Sequence, residues 1–247
     1  MLAEERFSKI LSIIEEAGSV TVQDLMEELG ASESTIRRDL NTMDANGLLV
    51  KVFGGAVAKN TNIRTQDENV DNRKLQNIEE KVAIAKYAAS LIQSGDFVYI
   101  DAGTSTELVI DYIKVANVTF VTNSLTHAKK LSGKGYTVYI LGGEFKSTTE
   151  AIVGEEAVET LDKYNFTKGF WGTNGVNITK GFTTPEVKEA MVKKKSMENC
   201  KERYVLADSS KFSQISSVKF SEFDNATIIT TELKNASYKK YKNIKEV

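Results

Sequence analysis

A chain of 247 residues, 41% hydrophobic and 27% charged, has room for two domains. Its composition is that of a globular protein, which excludes disordered, collagen-like and coiled-coil chains. The single cysteine, Cys200, excludes internal disulfides and Cys-based zinc fingers, and the single histidine, His127, excludes His-rich metal centres and His–His acid–base pairs. A carboxylate-only magnesium site stays open, but no metal site and no cofactor is indicated. No apolar run approaches the ~18 residues of a membrane span. Acidic Glu4 and Glu5 stand where a signal peptide would be basic, so the expected compartment is the cytoplasm. The net charge is −2, and residues 1–58 hold five cations against ten acids. Bulk charge therefore gives no support for nucleic-acid binding, and such a function must rest on where the few cations sit.

Residues 3–17 read as an amphipathic helix, with Phe7, Ile10, Leu11 and Ile14 at helical spacing and Gly18 as its stop. Thr21-Val22-Gln23-Asp24 is a capping box in acidic form and opens a second helix, with Val22, Leu25 and Leu29 inward. After the turn at Gly30-Ala31, Ser32 caps a third helix that continues to about Asn46. Leu48–Phe53 and Ala56–Ala58, joined by Gly54-Gly55, form a short hairpin. Three helices and a hairpin in under 60 residues is the plan of a winged helix-turn-helix.

In the third helix Ile36, Leu40 and Met43 define the buried face. The opposite face carries Ser34, Arg38, Asn41, Thr42 and Ala45, with Thr35 and Arg37 on its flanks, while Asp39 and Asp44 lie toward the sides. Arginine can read guanine, asparagine can read adenine, and hydroxyls can hold phosphates. A lone helix of this composition is more often simply solvated. The capped helix before it and the Gly-Gly wing after it favour DNA, with Ser34, Thr35, Arg37, Arg38, Asn41 and Lys51 as the contacts.

The strings Ser32-Glu33-Ser34-Thr35-Ile36-Arg37-Arg38-Asp39-Leu40, Gly47-Leu48-Leu49 and Gly54-Gly55-Ala56 resemble the DeoR family of bacterial repressors. The resemblance implies that the third helix enters the major groove of double-stranded operator DNA. The family often has Arg-x-His-Gly-Gly-Ala in the wing. Here Lys51-Val52-Phe53-Gly54-Gly55-Ala56 stands instead, and Phe53 cannot donate the hydrogen bond of a histidine.

Residues 59–76 are polar and read as a linker between domains 1–58 and 77–247. A helix is expected over about 77–93, with Ile78, Val82, Ala85, Ala89 and Ile92 on one stripe. Strands then alternate with helices: 97–101, 118–122, 136–141, 168–172, 204–208 and 226–231 are strands, and 105–113, 125–131, 153–164 and 186–199 helices. The expected fold class is α/β: a small winged helix-turn-helix followed by a doubly wound, mostly parallel sensor domain. Ligands of such sheets bind beyond the carboxyl ends of the strands. Those ends carry Asp101-Ala102-Gly103-Thr104-Ser105-Thr106, Thr122-Asn123-Ser124, Leu141-Gly142-Gly143 and Gly172-Thr173-Asn174-Gly175, with Lys211 after the strand at 204–208. The first of these opens a helix and suits a phosphate, although it is not a Walker motif.

This half also resembles the DeoR family, whose effector domain looks like ribose-5-phosphate isomerase. The isomerase phosphate loop is matched by Gly103-Thr104-Ser105-Thr106 without its middle glycine, and Asp208-Ser209-Ser210-Lys211 matches its Asp-Glu-Ser-Lys. Lys180-Gly181 and Glu189 match its Lys-Gly and general base. Its Asp-Gly-Ala-Asp has become Trp171-Gly172-Thr173-Asn174, so both acids are gone. The resemblance thus implies a sugar-phosphate sensor without catalytic residues, which disfavours the rival reading of an isomerase or deaminase fused to a DNA-binding module. The expected effector contacts are Asp101, Gly103, Thr104, Ser105, Thr106, Thr122, Asn123, Ser124, Gly172, Asn174, Gly175, Lys180, Glu189 and Lys211. The expected assembly is a homodimer or homotetramer. His127 reads as a half-exposed structural residue, Lys193-Lys194-Lys195 as a solvated helix face, and Trp171 as the end of a core strand or the floor of a pocket.

Overall fold

In a computed structural model, residues 2–58, 63–233, 238 and 240–247 are described, the side chains of 15–17 and 58 excepted. They fall into two compact units, 1–63 and 64–247. The first has three helices, α1 (Ala3–Ala17), α2 (Val22–Leu29) and α3 (Glu33–Ala45). It also has a three-stranded antiparallel sheet of β1 (Ser19–Thr21), β2 (Leu49–Val52) and β3 (Gly55–Ala58), in the order β1-β3-β2. The Thr21 hydroxyl accepts from the Asp24 N–H at 3.1 Å, and the Asp24 carboxylate accepts from the Thr21 N–H at 3.3 Å, so the capping box is formed. Gly30 adopts φ 60°, a left-handed turn that a side chain resists. Ile10, Ile14, Leu25, Ile36, Leu40, Met43 and Leu49 make the core. β1 was not legible as a strand: it is three residues long and exists through its pairing with β3. That pairing requires Gly55, where a Cβ would sit 2.1 Å from the Val20 carbonyl oxygen.

The second unit is built on a seven-stranded parallel sheet. Its strands are β4 (Phe97–Ile100), β5 (Thr119–Thr122), β6 (Thr137–Ile140), β9 (Phe166–Gly172), β12 (Cys200–Leu206), β14 (Thr227–Thr230) and β15 (Ile244–Glu246). They are ordered β15-β14-β12-β9-β4-β5-β6. On one face α5 (Ile78–Ser90), α6 (Thr104–Tyr112) and α7 (Leu125–Gly133) bury Ile84, Ile110 and Leu131; on the other α8 (Glu155–Leu161) and α9 (Val187–Glu198) bury Leu161 and Val192. The chain runs outward from β4 to β6, then crosses back to place β9 on the other side of β4. The gap between the ends of β4 and β9 is therefore the topological switch point, where such sheets open a ligand crevice.

Shorter strands lie outside the alternating pattern: β7 (Glu144–Lys146) with β8 (Ala151–Val153), and β10 (Gly175–Asn177), β11 (Gly181–Thr184) and β13 (Val218–Ser221). They are three or four residues long and pair with one another, so no hydrophobic period marks them.

The stretch read as a linker differs from expectation. Residues 59–62 lie outside the described residues, but 64–76 belong to the second unit. The Arg64 N–H donates to the Ile215 carbonyl at 3.0 Å, and the Ser217 N–H to the Arg64 carbonyl at 3.1 Å. Asn69 caps a short helix, α4 (Val70–Leu75), and Val70 is buried. Polar side chains hide this packing from a composition reading because their partners are far away in sequence. The stripe on α5 is also rotated from expectation: Ile78 is exposed and Lys81 is buried.

Candidate functional site

The first unit presents the outer face of α3. Ser34, Arg38 and Asn41 are exposed there, and Arg37 is held by Glu33 one turn earlier, with Nε to Oε1 at 2.8 Å. Thr35 is half-buried, its hydroxyl 2.9 Å from that of the cap Ser32. The Lys51 ammonium donates to Asn41 Oδ1 at 2.6 Å, and its N–H to Asp44 Oδ1 at 3.0 Å. The wing is thus pinned to the helix whose amide is the candidate base reader. Asp39 pairs with a cation, as its position allowed, but it does so buried: Arg6 grips it through Nε at 2.7 Å and Nη2 at 3.1 Å. Phe53 is fully exposed at the wing tip.

In the second unit a cavity of about 230 Å³ opens over the switch point. Ala102, Gly103, Thr104 and Ser105 follow β4 and begin α6; Gly172 ends β9, and Thr173 and Asn174 follow it; Asp208 and Lys211 follow β12. The first N–H groups of a helix have no partner within it and favour an anion. Lys81 stands beside them, its ammonium donating to the Thr104 hydroxyl at 3.2 Å and the Arg73 carbonyl at 2.5 Å. Burial lowers its pKa from the ordinary lysine value, against the raising charge of Asp208. Arg73 and Arg64 also line the cavity, and Arg73 Nε has no hydrogen-bond partner. Lys81, Arg73, Arg64 and Lys211 line the cavity against Asp208 and Glu68, which leaves a surplus of positive charge.

At the other end Lys193 and Lys146 pair with three carboxylates, Asp101, Glu189 and Asp67. Lys193 pairs with Asp101 and donates to the Gly172 carbonyl at 3.2 Å. Burial pushes the Asp101 carboxyl above its usual range, against the pull of Lys193. Glu189 accepts from Thr149 at 2.5 Å, from Lys146 at 3.1 Å and from Thr184 at 3.3 Å. Burial would raise Glu189, but the charges of Lys193 and Lys146 outweigh it and hold the carboxyl below its ordinary value. Lys146 reaches Asp67 at 2.5 Å, and Asn174 Nδ2 reaches the same carboxylate at 3.3 Å. The Glu189 carboxylate and the Asn174 amide, fixed in this way at the cavity wall, are suited to sugar hydroxyls, which both donate and accept.

Of the residues expected from sequence, Gly103, Thr104, Ser105, Gly172, Asn174, Glu189 and Lys211 line the cavity. Asp101 lies just beneath, paired with Lys193. Thr106 is fully buried and donates to the carbonyls of Asp101 (2.7 Å) and Gly103 (2.9 Å), so it shapes the loop. Asn123 likewise accepts from the Ala102 N–H at 2.8 Å. The Thr122 and Ser124 hydroxyls are spent locally, on the N–H groups of Ser124 and His127. Gly175 packs where a Cβ would meet the Gln214 carbonyl oxygen at 2.4 Å, and Lys180 is exposed in the β10–β11 turn, away from the cavity.

Two further expectations are corrected, and of the two readings of Trp171 the core strand holds. His127 is buried rather than half-exposed; it hydrogen-bonds the Gly103 backbone, and burial lowers its pKa to about 3. Lys193 is buried in the cavity wall, while its neighbours Lys194 and Lys195 face Glu198 and Asp162. Trp171 is fully buried in the core, stacked on Tyr99 with ring centres 5.7 Å apart, and does not floor the cavity. Cys200 is buried, its thiol pushed up to about 12 by burial, which makes it a poor nucleophile.

Sequence reasoning passed over Lys81, Arg73, Arg64 and Lys193. Lys81 carried a usable signal, since it shares a helical face with Ile84, Ala85 and Ala88. Lys193 likewise falls between Ala190 and Met197, on the buried side of α9.

The DeoR-like helix-turn-helix domain model matches residues 6–62, and the DeoR C-terminal sensor domain model matches residues 76–233. The chain belongs to the DeoR family. As a member it is a DNA-binding transcriptional regulator and not an enzyme, in keeping with the missing isomerase acids. It is 43% identical over 242 residues to the uncharacterized HTH-type transcriptional regulator FruR of Bacillus subtilis (strain 168), covering 98% of this chain and 96% of that one. It is 32% identical to the lactose phosphotransferase system repressor of Streptococcus mutans serotype c, over 94% and 93% of the two chains. Among solved structures, ribose 5-phosphate isomerase A from Methanocaldococcus jannaschii aligns with 55% of each chain at 19% identity and a TM-score of 0.41, too slight a likeness to bear on function. Among the described residues no helix is long and apolar enough to cross a membrane.

Proposed function

We propose that this DeoR-family regulator represses a carbohydrate-utilisation operon and that a phosphorylated sugar bound in the second unit sets its affinity for the operator. The observation that carries this reading is the cavity's division of charge. The α6 N-terminus, Lys81 and Arg73 leave positive charge for a phosphate. The far end offers the Glu189 carboxylate and the Asn174 amide, already fixed for hydroxyls. Ser34, Thr35, Arg37, Arg38, Asn41 and Lys51 contact the operator, Arg38 and Asn41 reading bases and Lys51 setting the wing. The sugar-side contacts include Asn174 and Glu189. The protein works in the cytoplasm as a homodimer or homotetramer, matching its two-fold symmetry to spaced half-sites. The phosphotransferase repressor among its relatives agrees with a sugar-linked operon.

Thermal melts with fructose 1-phosphate, fructose 6-phosphate, tagatose 6-phosphate and ribose 5-phosphate, each beside its unphosphorylated parent, test the reading. At least one ester raises the melting temperature, its parent does not, and the same ester changes operator affinity in gel shifts. A set of esters without effect, or a parent sugar equal to its ester, refutes it.

A further inference from the structure

Residues 64–76 follow directly on the DNA-binding unit in sequence, yet they form one wall of the cavity in the other unit. Arg64, Gln66, Glu68 and Arg73 all line it. We propose that this segment is a strap through which the effector acts on DNA binding: a bound sugar phosphate ties it down at both ends and so changes what the DNA-binding unit is tethered to. The proposal rests on the sugar-phosphate reading of the cavity.

Each end of the strap is held by groups that also serve the ligand. Toward its C-terminal end, Lys81 Nζ binds the Arg73 carbonyl and the Thr104 hydroxyl at once, while Arg73 Nε has no partner. A phosphate at the α6 N-terminus completes this arrangement, linking Arg73, Lys81 and Thr104 through one dianion. Toward its N-terminal end, Asp67 is gripped by Lys146 and Asn174, and Lys146 also holds Glu189. Asn174 and Glu189 face the cavity, so hydroxyls that engage them act on the groups that anchor Asp67. Gln76 Nε2 donates to Glu68 Oε1 at 2.7 Å and closes the strap on itself. Without a ligand Arg73 Nε has no partner, and the strap is held by the Arg64 backbone bonds, buried Val70, Asp67 and the Lys81 bond to the Arg73 carbonyl. With one, it is fixed along its length. A ligand can shift an equilibrium only by its unequal affinity for two states, and here the phosphate's bond to Arg73 exists only when the strap is down.

The test uses the full-length protein and the sugar phosphate that raises its melting temperature most. Hydrogen exchange read by mass spectrometry should slow at least fivefold within 64–76 when the ester is added. Operator affinity with and without ester should differ about 5–150-fold in the wild type, the usual span of coupling between sites. In Asp67→Asn, which keeps every cavity-lining side chain, the ester should still raise the melting temperature while that ratio falls below twofold. Unchanged exchange in the strap, or wild-type coupling in Asp67→Asn, overturns the proposal and leaves the sugar-phosphate reading standing. If Asp67→Asn does not fold, the exchange measurement on the wild type decides. If no ester binds at all, both readings fall together.

Discussion

Lys193 and Asp101 form an ion pair across the switch point of the parallel sheet, where the ends of β4 and β9 part. The ammonium also reaches the Gly172 carbonyl, at 3.2 Å, and the Gly172 N–H donates to Asp101 Oδ2 at 3.2 Å. Both side chains are buried. Removing one partner leaves the other as an uncompensated charge. Lys193→Met should therefore destabilise the second unit by about 3–5 kcal/mol. The double variant Asp101→Asn/Lys193→Met should lose less than the single one, since no lone charge remains. Urea denaturation of the wild type, Asp101→Asn, Lys193→Met and the double variant gives the comparison, and a double variant as unstable as the sum of both singles would contradict the pairing.

Arg38 and Arg37 should differ although they are neighbours. Arg38 is exposed on the outer face of α3, whereas Arg37 is engaged by Glu33 at 2.8 Å. Arg38→Ala should weaken operator binding by about 1–3 kcal/mol and random DNA far less, as for a side chain that reads a base. Arg37→Ala should act mainly through the salt dependence of binding, its charge being shared with Glu33. Gel-shift titrations at two salt concentrations separate the two effects. Unchanged operator affinity in Arg38→Ala would sink the assignment of this face.

His127 makes stability depend on pH. Its pKa falls from 6.5 to about 3 on folding because burial opposes the charged form. Below pH 6.5 the unfolded chain takes up a proton that the folded chain refuses, so stability is lost as the pH falls toward 3. The slope is about 1.4 kcal/mol per pH unit, or about 2 kcal/mol between pH 6.5 and 5. His127→Gln should flatten that part of the profile, whatever it costs at neutral pH. Denaturant melts of both proteins at pH 7, 6 and 5 check this, and parallel profiles would count against it.

Trp171, the single tryptophan, reports on the cavity from below. Its indole N–H donates to the Ser196 hydroxyl at 2.9 Å, and that hydroxyl donates to the Lys193 carbonyl at 3.0 Å. A dianion bound above should alter the emission intensity through its field, while the band stays at the short wavelengths of a buried indole. Acrylamide quenching should be weak with and without ligand. A red shift on binding would mean that the core opens, which this packing does not provide for.

The N-terminal unit was largely legible in the sequence because its signals are local. The Thr21–Asp24 box, the Ser32 cap, Gly30 and the spacing of Ile36, Leu40 and Met43 each act within one or two helical turns, and each has its expected partner. The larger sheet was legible for a similar reason, since strand and helix periods alternate along the chain. The loop Gly103-Thr104-Ser105 was singled out because it joins a strand's carboxyl end to a helix start, and it lines the cavity. The tertiary structure alone decided which charges meet. The spacing of Lys81 and Lys193 puts them on the buried faces of their helices, but only the packing of α5 and α9 sets them beside Thr104 and Asp101. The strap at 64–76 was read as a linker because its composition is polar, yet Asp67 meets Lys146 and Asn174 across 79 and 107 residues of chain. Composition and periodicity describe a residue's preference for water. A buried ion pair or a shared carboxylate depends instead on which distant group the fold brings beside it, and no local pattern in the sequence carries that.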